Sequence, residues 1–468
     1  MSDDPVMTPG LPYQRIALVL SGGGALGAYE IGVLKVIERV RLVPYLVAGV
    51  SIGAINAVAW LAAGRDVRPI EQVWRTASAE SLGVHWLSLA LRVVGTLTAV
   101  LAVLELVLGL MGSREMSGAY WLWQKGSARV DLISIQLDST LWIVLALAGG
   151  LVVLYAHRVA SGLDRRSHGA DPVKVRLRLA RVAVAAALLH LVVWIMGWAW
   201  PQRFSASVVL LLALAWLATT PGHAGRWLRR LALELMPETR GRGLWGGRAR
   251  RQILERIVAA GDARLLAGPG TGLVVSALGI DSGLIGHFVS WPDPDPLFCA
   301  GLGQELGEVI PVADAAEMVS AAVASSAIPG LFQPEHVAGR DFVDAGGFSN
   351  QPLHVAIAHG ADALLVVLLS PSGSPAQAES PADVVALGGR LLELANWRDL
   401  QTELRHLPPG WDRVGSPARV CVVEPREPLP ASLLSFDPAR AGELISRGEA
   451  DAWAALLKAG WITFDPRD

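Results

Sequence analysis

The chain has 468 residues, 52% hydrophobic and 18% charged, with a formal net charge of −2 and a mean hydropathy of +0.42. That charge, without any stripe of basic and aromatic residues, excludes a nucleic-acid partner, while the hydropathy exceeds that of an ordinary soluble domain, as a membrane block inside a globular fold would produce. Two cysteines, Cys299 and Cys421, are too few for a disulfide framework and suit a reducing compartment.

The opening segment, MSDDPVMTPG, is acidic and polar and does not read as a secretory signal peptide. Arg15–Leu20 is a β-type apolar run that stops at Ser21-Gly22-Gly23-Gly24-Ala25-Leu26-Gly27. A helix follows, with Ile31, Val33, Leu34, Val36 and Ile37 on a broad apolar face. Glycines at a strand-to-helix junction let backbone N–H groups converge on one spot beside the positive end of the helix dipole. Such a nest binds a phosphate or stabilises the oxyanion of an ester under attack. Gly22-x-Gly24-x-x-Gly27 also matches the dinucleotide fingerprint, which expects an acidic residue at the end of the next strand. That strand, Tyr45–Val50, ends in serine instead, and Glu38 lies within the predicted helix. The oxyanion reading is therefore favoured over the nucleotide reading.

The segment LVAGVSIGAINA contains Gly49-Val50-Ser51-Ile52-Gly53, an apolar strand running through a serine turn into a helix of small residues. This is the pattern of a nucleophile elbow, in which the serine occupies a strained turn and the flanking glycines avoid the neighbouring strand and helix.

Four apolar segments occupy about 86–220: Val93–Gly112, Leu141–Tyr155, Val182–Trp200 and Phe204–Thr220. The last is at the lower limit of about 17 residues for a bilayer span. Trp86, Trp121, Trp123, Trp142, Trp198, Trp200 and Trp227 lie at or beyond their ends, as in an aromatic belt. Buried core helices are the bland alternative, disfavoured by the length and low charge of these runs. Glu105 and His190 fall inside predicted spans, where they either bond within the bundle or mark function.

Beyond the block, Leu273–Ala277 and Ala363–Leu369 read as buried strands and Ala315–Ser325 as a helix. Ser370–Pro381 reads as a loop, Val384–Leu394 as an amphipathic helix, Val420–Val423 as a strand and Ala439–Leu457 as a last helix. Phe342-Val343-Asp344-Ala345-Gly346-Gly347 places an aspartate at the end of a short strand. Half-buried beside a serine, that carboxylate has a raised pKa and accepts the Ser51 proton. His354 and His359 follow on a predicted helix leading away, so they read as surface or capping residues, although a triad is recognised by geometry and not by order. No zinc spacing or calcium loop is visible, so no metal and no cofactor is expected.

Taken together, the glycine-rich loop, the serine elbow and the aspartate loop resemble the patatin-like phospholipase family. The resemblance implies a Ser51–Asp344 catalytic dyad, an oxyanion hole from Gly22, Gly23, Gly24 and Gly27 with Ile52, an elbow motif at Gly49, Ser51 and Gly53, and an aspartate motif at Asp344, Ala345 and Gly346. Ala324-Ser325-Ser326-Ala327-Ile328-Pro329 is also similar to the family. Ala345 stands where the family usually has glycine; if the position required a left-handed backbone, alanine would cost about 1–2 kcal/mol.

The implied fold is α/β: a patatin-like three-layer α/β/α catalytic domain, in halves 14–85 and 245–375, interrupted by an all-α transmembrane bundle of about four helices at 86–222. Residues 376–468 form a C-terminal α/β extension. Since Ser51 and Asp344 flank the insertion yet share one site, the chain must cross the membrane an even number of times; two crossings with a hairpin at Trp200–Arg203 is the alternative to four. Arg158, Arg165, Arg166, Lys174, Arg176, Arg178 and Arg181, then Arg226, Arg229 and Arg230, put the catalytic halves on the cytoplasmic side. The excess of arginine over lysine suggests a GC-rich bacterial genome, hence a bacterial inner membrane. The expected activity is hydrolysis of carboxylic esters of membrane lipids, the expected partners being a phospholipid or other lipid ester and the bilayer. A transacylase with the same dyad and a catalytically weak scaffold are the alternatives. The sequence does not specify the oligomeric state.

Overall fold

The structure is a computed structural model of the chain. It describes residues 11–79, 81–84, 242–266, 270–290, 307–373, 384–411, 417–429 and 436–463, with 88, 91, 92, 95, 96, 99, 146–152 and 155. The chain divides into two compact units, Met1–Val84 with Arg242–Asp468, and His85–Gly241.

The first unit is a mixed α/β fold around a largely parallel sheet. Its strands in chain order are β1 (Ile16–Leu20), β2 (Leu46–Val50), β3 (Gly243–Trp245), β4 (Gly272–Gly279), β5 (Ile285–Val289), β6 (Glu308–Pro311), β7 (Gly330–Phe332), β8 (Glu335–Val337), β9 (Arg340–Asp344), β10 (Ala363–Val367) and β11 (Val420–Val423). The helices are α1 (Ala28–Arg39), α2 (Ile52–Ala62), α3 (Arg68–Thr76), α4 (Arg248–Ala260), α5 (Ala315–Ser325), α6 (Leu353–Ala358), α7 (Val384–Arg405) and α8 (Pro438–Lys458). The central sheet runs β11-β10-β1-β2-β4-β5-β6, while β3 and β7 form a separate parallel pair.

The strands β1, β2 and β10 are buried along their whole length, which is why they read as continuous apolar runs and not as alternations. Alternate residues still serve opposite faces. Leu18, Leu20, Val47, Leu365 and Val367 join one core with α1, α2, α5 and α8, while Ala17, Val19, Ala48, Leu364 and Val366 join another with α6 and Leu400 of α7. Helices therefore cover both sheet faces. α7 runs past the expected Leu394 because Leu400 and Leu404 continue its apolar contact with the second core.

One feature of register brings distant segments together. β2 pairs with β4 in parallel up to Val50↔Ser276, and β9 pairs antiparallel with the same strand from Ala277↔Asp344 onward. β9 takes up β4 where β2 leaves it, so the ends of two opposed strands meet.

In the second unit, residues 146–152 are helical. Gly149 lies where an added Cβ would be 2.6 Å from the Gly95 carbonyl oxygen and 2.7 Å from the Ala99 nitrogen, so two segments approach at backbone distance. Leu147 (64%), Leu151 (55%) and Val152 (37%) are exposed. Most of Val93–Gly112, all of Val182–Trp200 and Phe204–Thr220, the tryptophans and arginines of the predicted belt and connectors, Glu105, His190 and Cys299 lie outside the described residues. Among the described residues, no helix is long and apolar enough to cross a membrane.

Candidate active site

Ser51 sits between β2 and α2 with φ 54° and ψ −121°, a conformation that costs roughly 1–3 kcal/mol for a non-glycine residue. The glycines make the turn possible. A Cβ on Gly53 would lie 2.4 Å from the Leu20 carbonyl oxygen, and one on Gly49 would lie 2.7 Å from the Ala54 nitrogen. The strain is held by Ser325 at the end of α5. Its Oγ accepts the Ser51 backbone N–H at 2.8 Å and donates to the Ser276 carbonyl at 2.7 Å.

Asp344 ends β9 and meets Ser51 at the strand junction. Ser51 Oγ donates to Asp344 Oδ2 at 2.5 Å, and the Gly346 N–H donates to Oδ1 at 2.7 Å. The Asp344 N–H donates to the Ala327 carbonyl at 2.9 Å. Both side chains are buried, at 5% and 6% exposure. Burial pushes the Asp344 carboxyl up to about 6, against the opposing pull of the Ser51 and Gly346 hydrogen bonds and the Arg250 charge. Ala345 is not among the described non-glycine residues with positive φ, which are Arg41, Ser51, Arg65 and Ala338. The alanine therefore carries no left-handed strain.

Ser325-Ser326-Ala327 thus touches both halves of the pair: Ser325 holds Ser51, and Ala327 holds the Asp344 backbone. Between them, Ser326 is gripped by Arg250 of α4, which donates from Nη1 to the Ser326 carbonyl and, at 2.7 Å, to its Oγ. The guanidinium lies 3.8 Å from the Phe332 ring centroid. Burial lowers its pKa to about 10, so it is still a cation at neutral pH.

The glycine-rich loop stands beside the serine. Gly22 is clamped by Asn350, whose Oδ1 accepts the Gly22 N–H at 3.0 Å and whose Nδ2 donates to the Gly22 carbonyl at 3.2 Å. The Gly22 amide is thereby engaged. Gly27 closes a 3-10 turn (Gly24–Gly27), and a Cβ there would strike Ile52 Cγ1 at 2.5 Å, so its part is close packing. The Gly23, Gly24 and Ile52 amides donate to no acceptor among the described residues.

Asn56, one turn into α2, ties the glycine-rich loop to that helix. Its Nδ2 donates to the Gly27 carbonyl at 3.0 Å and to Glu30 Oε2 at 2.7 Å, and its Oδ1 accepts the Trp74 indole N–H at 3.0 Å. Glu30 is fully buried, and burial pushes its carboxyl up to about 8. On the other flank, Asp399 of α7 accepts the Asn350 N–H at 2.9 Å, and burial pushes its carboxyl up to about 6.

His354 lies in α6 and His359 caps its end. His354 pairs with Glu403 at 2.5 Å, and the His359 ring bonds to the Val355 carbonyl at 2.8 Å, so neither reaches Ser51. Glu38 accepts the Trp60 indole N–H at 3.0 Å from within α1. Among the described residues, no cluster of three His, Cys, Asp or Glu could hold a metal ion.

Ser51 opens into an apolar pocket with a cavity volume of about 70 Å³. Its walls come from α2, α3 and α4, with Phe332 and Phe436. Among the described residues, the polar side chains in its lining are those of Ser51, Asn56, Arg250 and Ser326, together with the Trp74 indole.

The sequence reading missed Arg250, Asn56, Glu30 and Asp399. Ser325 stood in a quoted motif without a role. Arg250 gave no signal, being one arginine among several in an exposed-looking run, and Glu30 read as a helix residue like any other.

Residues 18–142 and 209–357 match the model of the patatin-like phospholipase family. A stretch of 43 residues is 46% identical to the triacylglycerol lipase SDP1L of Arabidopsis thaliana, covering 9% of this chain and 5% of that protein. The chain thus matches only a small fraction of that relative's length. The crystal structure of VipD from Legionella pneumophila aligns over 97% of this chain and 70% of its own at 14% identity, with a TM-score of 0.36, too remote to inform fold or function.

Proposed function

The chain belongs to the patatin-like phospholipase family, whose model spans more than half of it, and we propose that it is a lipid acyl hydrolase acting through Ser51 and Asp344. The observation that carries this reading is the 2.5 Å contact between Ser51 Oγ and Asp344 Oδ2, buried at the head of an apolar pocket. An apolar pocket with one activated hydroxyl suits a long-chain acyl ester better than a polar substrate.

In the proposed reaction Asp344 Oδ2 takes the Ser51 proton as Oγ attacks the ester carbonyl. The tetrahedral oxyanion is met by the free amides of Gly23, Gly24 and Ile52, preorganised in a site that excludes water. The proton passes to the departing alkoxide, leaving acyl-Ser51. Asp344 then accepts a proton from water, whose oxygen attacks the acyl carbon, and the fatty acid leaves as Ser51 recovers its hydrogen. Strain at Ser51 keeps the hydroxyl aimed into the pocket; Ser325 and Asn350 hold the elbow and the loop in register.

The proposal extends to the second unit as the membrane anchor, with four crossings and the catalytic unit on the cytoplasmic side. Supporting it are the four apolar runs, the arginine-rich connectors and the outward Leu147, Leu151 and Val152. Tethering the site to its substrate's own bilayer raises effective concentration without new contacts.

The test is labelling of detergent-solubilised full-length protein by a fluorophosphonate, with release of fatty acid from phospholipid and triacylglycerol vesicles. Wild type should label and turn over, and Ser51→Ala should do neither. Labelling and turnover that survive in Ser51→Ala would refute the assignment. Acyl transfer to an added alcohol in place of fatty-acid release would identify a transacylase.

A further inference from the structure

Three cavities adjoin one another near the end of α3, where Ala77 lines all of them. The pocket at Ser51 shares Trp74, Ala77 and Phe436 with a much smaller void of about 10 Å³. It shares Val73, Ile253 and Ile257 with an open groove between α3 and α4. A residue that lines two adjoining cavities is the wall between them.

The wall toward the smaller void is a pair of stacked rings. Trp74 and Phe436 have centroids 6.0 Å apart and planes inclined by 26°. The two are held very differently. Trp74 is pinned by its indole hydrogen bond to Asn56 and is 6% exposed. Phe436 immediately precedes Asp437, the residue that caps α8, and is only half-buried. On the near side the pocket is almost wholly apolar. On the far side, Ala25, Ala441 and Leu444 continue the apolar lining, but Asp437 and Arg440 stand behind them.

We propose that Phe436, stacked on Trp74, is the residue that sets how long an acyl chain the site accepts. This rests on the reading of Ser51 as the acyl-accepting nucleophile. The chain enters methyl end first, runs from Ser51 along α3 and stops against the two rings. The α3–α4 groove, which carries Asp66 and Arg256 as well as apolar side chains, takes the remainder of the lipid. Removing the Phe436 ring vacates the ring's own volume and joins it to the small void behind, so additional methylenes can be buried. Enlarging the ring has the opposite effect.

The experiment is a chain-length series on the full-length protein in micelles, using p-nitrophenyl esters from four to eighteen carbons. Wild type should show a length beyond which kcat/KM stops rising. Phe436→Ala should move that limit to longer chains, with about a fourfold gain for each methylene newly buried. Phe436→Trp should move it to shorter ones. A second readout does not depend on turnover: titration of fatty acids of the same lengths into Ser51→Ala, with and without Phe436→Ala, should show the same shift in affinity optimum. Both variants are checked for an unchanged melting transition. Ester and fatty-acid profiles that superimpose on wild type, or scale uniformly with length, would overturn the proposal. Absence of Ser51-dependent hydrolysis would instead count against the nucleophile assignment, and the fatty-acid series would still decide the role of Phe436.

Discussion

Asp344→Asn makes a two-sided prediction, because the same burial that suits Asp344 to its proposed task works against the fold. Asparagine is nearly isosteric here: its Oδ1 can still accept the Gly346 N–H, and its amide can donate to Ser51 Oγ. The substitution therefore removes a charge and a base without opening a cavity. Asp344 is raised from 3.8 to about 6 by burial. A carboxyl whose folded pKa lies above its unfolded one binds more protons when folded, so its contribution to stability falls as pH rises from about 4 to 6. Above that window the ionised group costs the fold on the order of 3 kcal/mol, about two pKa steps at 1.36 kcal/mol each. Asparagine escapes that cost. At pH 7.5 Asp344→Asn should be more stable than wild type in a thermal or urea melt, and the gain should vanish below about pH 4. Its turnover should fall roughly 10²–10⁴-fold, the range for losing general acid–base help.

The wild-type rate should rise through an acid limb near pH 6, leaving about a tenth of the plateau at pH 5, whereas an unperturbed aspartate would leave most of it. Asp399 is raised to a similar value and touches Asn350, so the pH profile is repeated in Asp399→Asn, where the limb should persist. A less stable Asp344→Asn at pH 7.5, an acid limb at pH 4, or a limb that moves with Asp399 would refute the assignment of Asp344 as the buried base.

Ser325→Ala leaves the Ser51 amide and the Ser276 carbonyl without their buried partner; the expected loss is about 1–3 kcal/mol for each stranded group, with kcat falling more than KM rises. Asn56→Leu strands the Gly27 carbonyl, the Trp74 indole and Glu30 together, so a urea titration should register a loss of several kcal/mol, while fluorophosphonate labelling slows. Gly53→Ala forces a methyl group to 2.4 Å from the Leu20 carbonyl, backbone that cannot move aside, and should yield protein that does not fold, read as loss of the cooperative melt.

Much of the first unit was legible because its determinants are local. A short uninterrupted apolar run such as Ala363–Val367 fits a strand covered on both faces, and it forms one. A serine flanked at two residues' distance by glycines after such a strand marks a turn with no room for a side chain at Gly49 or Gly53, and α5 and β11 appear at the residues expected, Ala315–Ser325 and Val420–Val423. The short strands β5, β6 and β8 and helix α4 escaped notice, since three to five residues, or an arginine-rich helix, carry little periodic signal.

The arrangement of these parts belongs to the tertiary structure. That Ser51 and Asp344 meet depends on β2 and β9 dividing one partner strand at Ser276 and Ala277, a matter of register between segments almost three hundred residues apart. The capture of the Gly22 amide by Asn350, the grip of Arg250 on Ser326 and the Trp74–Phe436 wall are likewise contacts between distant segments. The physical division is plain. Steric exclusion around a glycine or burial of a strand is decided within a few residues, whereas a hydrogen bond or a cavity wall exists only once packing has chosen which distant groups become neighbours.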